Sequence, residues 1–144
     1  MQVHQILRAK PQAQIITVTS ASLVADAARL LSERRIGAVI VSDDGAVPVG
    51  ILSERDIVRG LGRRGSVCLQ DKVEALMTRN LVTCSPHDQA VQILEKMTAG
   101  RFRHMPVMDG GKMVGIISIG DVVAARLSEL AMEKDALAGM IMGN

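Results

Sequence analysis

Two serine–aspartate pairs stand at the same spacing, Ser53-x-x-Asp56 and Ser118-x-x-Asp121. An ionised carboxylate accepts hydrogen bonds and donates none, so either aspartate suits a vicinal diol, which presents two hydroxyl donors. It repels phosphate. A serine hydroxyl, the free N–H groups at a helix start and a guanidinium such as Arg55 or Arg103 do the opposite and hold an anion. A Ser-x-x-Asp pair before an apolar run is also an ordinary helix cap, with Asp in the usual Glu position. Its recurrence in matched surroundings is what raises it above a cap.

Those surroundings are a repeat. DGAVPVGILSERDIV, from Asp44, and DGGKMVGIISIGDVV, from Asp109, lie 65 residues apart and share eight of fifteen positions. With one extra residue near Asp43, the upstream register pairs Thr17 with Thr83, Arg35 with Arg101, Ile36 with Phe102 and Val41 with Val107. Each copy opens on a short β-rich run, Ile15 to Val18 or Leu81 to Thr83. A helical period follows, with Val24, Ala27, Ala28 and Leu31, or Ala90, Ile93, Leu94 and Met97, on one face. Apolar strands then flank turns at Asp43-Asp44-Gly45 and Asp109-Gly110-Gly111, both hairpin signals. A second helix starts at each Ser-x-x-Asp pair.

The unit is therefore strand, helix, strand, strand, helix, and one copy alone buries too little surface to be stable. The expected fold is mixed α+β, two β-α-β-β-α repeats packed through their sheets and sharing a core. Residues 3–62 form the first repeat, 73–130 the second, 63–72 a linker and 131–144 a helical extension. From Asp121 to Met142 the segment carries Val123, Leu127, Leu130, Leu137 and Ile141 on one face. That face either meets a neighbouring subunit or packs back on its own module. Gly60-Leu61-Gly62-Arg63-Arg64-Gly65 formally matches a dinucleotide-binding fingerprint but follows a helical run where a strand is required. It reads as a flexible linker.

Composition narrows the function. The 144 residues suit one compact unit of roughly 150 residues or two small ones. Hydrophobic residues make up 48% and charged ones 22%, which excludes disorder. Seventeen basic residues against fifteen acidic ones leave no excess for a phosphate-backbone binder, and Phe102 is the only aromatic, so nucleic acid is disfavoured. A ligand ring is expected to meet aliphatic walls or backbone. Cys68 and Cys84 are too few and too far apart for a zinc site or redox pair and read as buried hydrophobes in a reducing compartment. Neither a signal peptide nor a run of roughly 18 apolar residues is present, which suggests a cytoplasmic chain.

The paired units, with GILSERDIV and GIISIGDVV each preceded by a hairpin and the second by RFRHMPVMD, resemble a tandem pair of cystathionine beta-synthase (CBS) domains, a Bateman module. The resemblance runs from about Val3 to Arg126. It implies a pseudo-twofold disc with two clefts that bind adenosine-containing ligands such as AMP, ADP, ATP, NAD or S-adenosylmethionine, and a module that often dimerises. Carried over residue by residue, one cleft combines Thr83, Arg103, His104, Met105 and Pro106 with Ser53, Arg55 and Asp56. The other combines Thr17, Gly37, Ala38 and Val39 with Ser118 and Asp121. The first copy departs from the second by having Ala38-Val39-Ile40 in place of His104-Met105-Pro106, and both basic side chains fall in the first cleft. The resulting expectation is a homodimeric, non-catalytic regulatory module sensing an adenine nucleotide, with no metal and no catalytic cofactor. A ligand-independent dimeric scaffold is the alternative.

Overall fold

The computed structural model describes residues 1–10 and 15–142. In chain order they form α1 (Val3–Ala9), β1 (Thr17–Val18), α2 (Val24–Arg34), β2 (Ala38–Val41), β3 (Gly50–Ser53), α3 (Glu54–Arg64), α4 (Val73–Leu76), α5 (Ala90–Gly100), β4 (His104–Asp109), β5 (Lys112–Ser118) and α6 (Ile119–Ile141). The mixed α+β fold of two β-α-β-β-α repeats is as expected. β1 runs parallel to β2, which pairs antiparallel with β3. In the second copy β4 and β5 pair antiparallel, and Cys84, bridging parallel to Val107, stands where β1 stands in the first. The strand expected at Leu81 to Thr83 shrinks to that single bridge.

Side-chain alternation along each strand sorts the core. Val39, Val41 and Leu52 face α2 and α3 in one buried cluster, while Met105, Val107 and Ile117 face α5 and α6 in another. Ala38 and Ile40 are equally buried but point to the opposite face, the one the repeats turn toward each other. The apolar interior is thus two clusters, where one shared core was expected.

Each cluster is completed by the segment preceding the other repeat. Val3 and Ile6 of α1 are buried among second-repeat residues, and Val73 and Met77, in and just after α4, among first-repeat residues. The backbone repeats the exchange: Val73 N donates to Ser22 O at 2.7 Å and Val24 N to Asp71 O at 2.9 Å, while Val3 N donates to Asp88 O and Ala90 N to Met1 O, both at 2.9 Å. Apolar side chains with no partner on their own repeat dictate this docking.

The stretch read as a flexible linker is helical. Gly60 to Arg64 finish α3, Gly65–Gln70 form a 3₁₀ turn with Cys68 fully buried, and Arg64 pairs with Asp71. Gly60 is a packing residue: a Cβ there would lie 2.7 Å from Leu76 Cδ2, so its glycine lets α3 approach α4. Cys84 is buried as well, which pushes its thiol up to about 12 and leaves it inert. α6 stays on the body of the molecule as far as Glu129, whose carboxylate pairs with the Met1 amine at 2.7 Å, and leaves it beyond; Leu127 on its outer face and Leu137 and Ile141 farther on are 63%, 59% and 85% exposed. No helix among the described residues is long and apolar enough to cross a membrane.

Candidate functional site

Both Ser-x-x-Asp pairs open a helix as capping boxes. Ser53 N donates to Asp56 Oδ2 at 2.9 Å and Asp56 N to Ser53 Oγ at 3.3 Å; Ser118 N and Asp121 N repeat the pattern at 2.9 and 3.1 Å. The cap uses Oδ2 of each carboxylate and leaves Oδ1, so capping and ligand binding do not compete for one atom.

Each helix start borders a cleft whose other wall is the opposite repeat. The Ser53 cleft, about 380 Å³, joins Ser53, Glu54, Arg55, Asp56 and Arg59 to Thr78, Asn80–Val82 and Gly100–His104. The Ser118 cleft, about 580 Å³, joins Ser118, Asp121 and Val114–Ile116 to Ile15, Ile16 and Arg35–Ala38, with His4, Leu7, Arg8 and Lys10 from α1 and its end. The linings correspond across the pseudo-twofold axis: Arg35, Ile36, Gly37 and Ala38 stand where Arg101, Phe102, Arg103 and His104 stand. Glu54 N bonding Gly37 O at 2.9 Å is matched by Ile119 N bonding Arg103 O at 2.8 Å.

Of the expected residues, Ser53, Arg55, Asp56, Arg103 and His104 meet in one cleft, and Gly37, Ala38, Ser118 and Asp121 in the other. Met105, Pro106 and Val39 do not line either. They are buried in their strands, Met105 and Val39 in the two cores, and the Pro106 carbonyl accepts Cys84 N at 3.0 Å. In β2 and β4 only the first residue, Ala38 or His104, reaches a cavity before alternation and pairing take over the rest. Thr17 and Thr83 also lie outside the linings, just beyond Ile15–Ile16 and Leu81–Val82, which occupy the expected place.

Two further expectations are corrected. The lone aromatic, Phe102, lies in the Ser53 cleft, so a ring can meet a ring there. Nor is the Ser118 cleft without cations, because α1 brings Arg8 and Lys10 to it and α2's end brings Arg35. Arg35 and Arg101 share a signal that sequence reading missed, as each caps its helix in the left-handed conformation, φ 54° and 56°, without being glycine. Strained backbone of this kind gathers at binding sites. The α1 residues had no such signal, since their place depends on docking across the pseudo-twofold axis.

The electrostatics of the two clefts differ. Lys10 Nζ lies 2.9 Å from Asp121 Oδ2 and donates to Ile116 O at 2.9 Å. Burial alone would raise the Asp121 carboxyl; the Ser118 amide and Lys10 outweigh it and hold it below the usual carboxylate range. Asp56 is 7% exposed, and its Oδ1 faces Thr78 Oγ1 at 3.4 Å and the Arg59 guanidinium at 3.7 Å. Arg55, Arg101 and Arg103 line the Ser53 cleft without a carboxylate partner among the described residues. His104 lines both clefts, and burial pushes its imidazole below the ordinary histidine value against the pull of Glu54.

The CBS domain family model matches twice, over residues 4–63 and 73–128. The chain belongs to the CBS domain family. Among solved structures, the CBS-domain containing protein ATU1752 from Agrobacterium tumefaciens superposes with a TM-score of 0.83 at 43% identity, covering 88% of this chain and 99% of that one. The CBS domain pair of protein MJ0100, solved with 5-methylthioadenosine and S-adenosyl-L-methionine, superposes at 0.77 with 26% identity, covering 90% of this chain and 98% of that one. CBSX3, a mitochondrial CBS domain-containing protein of Arabidopsis thaliana, is 33% identical over 129 residues, 87% of this chain and 63% of its own length. Of two longer Arabidopsis relatives the chain spans only 24% and 23%.

Proposed function

We propose that this CBS pair is a non-catalytic sensor of adenosine-containing ligands, AMP, ADP, ATP or NAD(H), which reports occupancy through a change of shape or of affinity for another molecule. The observation that carries this reading is the pair of pseudo-twofold related clefts, each built from a capped Ser–Asp helix start of one repeat and the apolar and basic segment of the other. In each, the aspartate carboxylate offers acceptors to a ribose diol. The helix N-terminus and the unpaired Arg55, Arg101 and Arg103 favour phosphate in the Ser53 cleft. The base is held by Leu81, Val82 and Phe102, or by Ile15, Ile16 and Ile36. That the similar MJ0100 pair is solved with two adenosine-containing ligands supports the class.

The output runs through a second copy of the chain. Val123, Leu127, Leu130, Leu137 and Ile141 of α6 are spaced by four, three, seven and four residues, the seam of a helix that pairs with its like. All are at least 40% exposed. A seam on one long helix is self-complementary about a twofold axis, which selects a homodimer. Isothermal calorimetry and thermal-shift titration with AMP, ADP, ATP, NAD and NADH test the sensor reading. A saturable response from at least one is expected, and silence from all five would overturn it in favour of a ligand-independent dimeric scaffold.

A further inference from the structure

The two clefts share residues, and the chief of these is an imidazole. His104 opens β4, opposite Ser118 in the register of β5, and lines both cavities together with Gly37. Its Cε1 and Nε2 lie 3.5 Å from the point a Cβ on Gly37 would occupy, and Glu54 Oε1 lies 3.6 Å from the same point. The ring therefore covers the Gly37 backbone at the junction of the clefts. Its pseudo-twofold counterpart is Ala38, so the junction holds one titratable ring and not two.

The charges around that ring come from both sides. Glu54 of α3 and Arg103 face it from the Ser53 cleft, and Asp121 of α6 and Lys10 at the end of α1 from the Ser118 cleft. Burial is the largest influence and disfavours the charged ring; Glu54 and Asp121 pull toward the imidazolium, Lys10 and Arg103 push against it, and Arg8 and Arg35 on one side and Arg55 and Arg101 on the other complete the cationic lining. A further negative charge within a few ångströms, on either side, upsets this balance in favour of the imidazolium.

We propose that His104 is a charge-sensing wall through which the clefts communicate: an anion entering either cleft draws a proton from solvent onto the ring, and the imidazolium favours an anion in the other. The proton returns to solvent when the ligands leave. Linkage makes the effect reciprocal, so each cleft strengthens the other by the same factor, and the coupling is greatest between the pH at which the empty form titrates and that at which the loaded form does. Above that window the ring stays neutral and the coupling vanishes. Below it the ring is charged before any ligand arrives, and again nothing is transmitted. This inference rests on the nucleotide reading above, and its test separates the two.

The His104 ring signal is followed by NMR across pH 5 to 9 with and without AMP and with and without inorganic pyrophosphate, and is assigned by its disappearance in His104→Gln. Calorimetry in two buffers of different ionisation enthalpy counts protons taken up per ligand. Circular dichroism checks that the variant is folded. The expected result is an upward move of the His104 midpoint by about one pH unit, equivalent to roughly tenfold tighter binding to the charged ring. Proton uptake should accompany binding to the wild type and be absent in His104→Gln, whatever affinity that variant retains. Saturable binding with an unmoved midpoint, or with the same proton uptake in His104→Gln, would overturn the coupling and leave the sensor reading standing. No saturable binding of either probe, together with silence from the five nucleotides, would overturn both.

Discussion

Asp56 serves two masters, and its two oxygens allow the roles to be separated by substitution. Oδ2 caps α3, and Oδ1 is the acceptor offered to the Ser53 cleft. Asp56→Ala should lose about 1 kcal/mol of stability with the cap and at least tenfold in AMP affinity. Asp56→Asn keeps an oxygen for capping but loses the charge and one acceptor, so it should recover much of the stability and little of the binding. Chemical denaturation beside calorimetry checks this, and parallel recovery of both properties would leave Asp56 as a cap only. Arg101 allows the converse experiment. Its left-handed backbone disfavours any residue with a Cβ, so Arg101→Gly should raise stability by about 1 kcal/mol. The same change removes a cation from the cleft and should weaken ATP binding more than adenosine binding. A substitution that stabilises the fold while impairing the ligand is the expected mark of strain kept for function.

Among the elements, α6 joins the second core to the clefts and to the proposed partner copy. Its first turn supplies Asp121, Val122 and Ala125 are buried against α1 and α5, and its outer half carries the exposed seam. Substituting both Leu130 and Leu137 with Glu should leave the fold and the clefts intact but convert the dimer to a monomer, as read by light scattering coupled to size exclusion. A dimer that survives both changes places its interface elsewhere. The cleft end of α6 has its own condition in the Lys10–Asp121 pair. A carboxyl held below its ordinary value contributes stability that is fully present above the unfolded-state value near 4 and is lost as pH falls through the folded-state value. Lys10→Met should therefore reduce stability at pH 7, and the difference from wild type should shrink in melts taken below about pH 4.

Elements of this kind were legible in the sequence because each is specified locally. Period and turn chemistry located α2, β2, α5 and both hairpins, and the Ser-x-x-Asp spacing located both helix starts. What could not be read was decided between segments. Whether Met105 lines a cleft or a core depends on which face of β4 meets α5. Whether the Ser118 cleft is basic depends on where α1 docks. The same spacing that revealed the repeat therefore over-assigned the strands to the clefts and left out Lys10, Arg8 and Thr78.

For the whole molecule, the reciprocal docking of α1 and α4 makes each repeat depend on chain that precedes the other. Ile6 is 4% exposed in the second-repeat core, and Met77 is 8% exposed in the first-repeat core. A truncation at either site leaves a cavity in the repeat it is packed against and not in the one beside it in sequence. Ile6→Ala should cost about 3 kcal/mol and hasten hydrogen exchange first in α5 and β4, which start more than eighty residues downstream. Met77→Ala should do the same to α2 and β2, upstream of it. Both variants should still melt in one transition, because loss of either repeat removes the segment that completes the other. Two transitions, or exchange quickened only in chain neighbours of the substituted residue, would contradict the docking. The coupling also matters for sensing: Leu7, Arg8 and Lys10 reach the Ser118 cleft only while α1 is seated on the second repeat. A ligand held by those residues stabilises the seating, so saturating AMP should slow exchange in α5 as well as around the cleft.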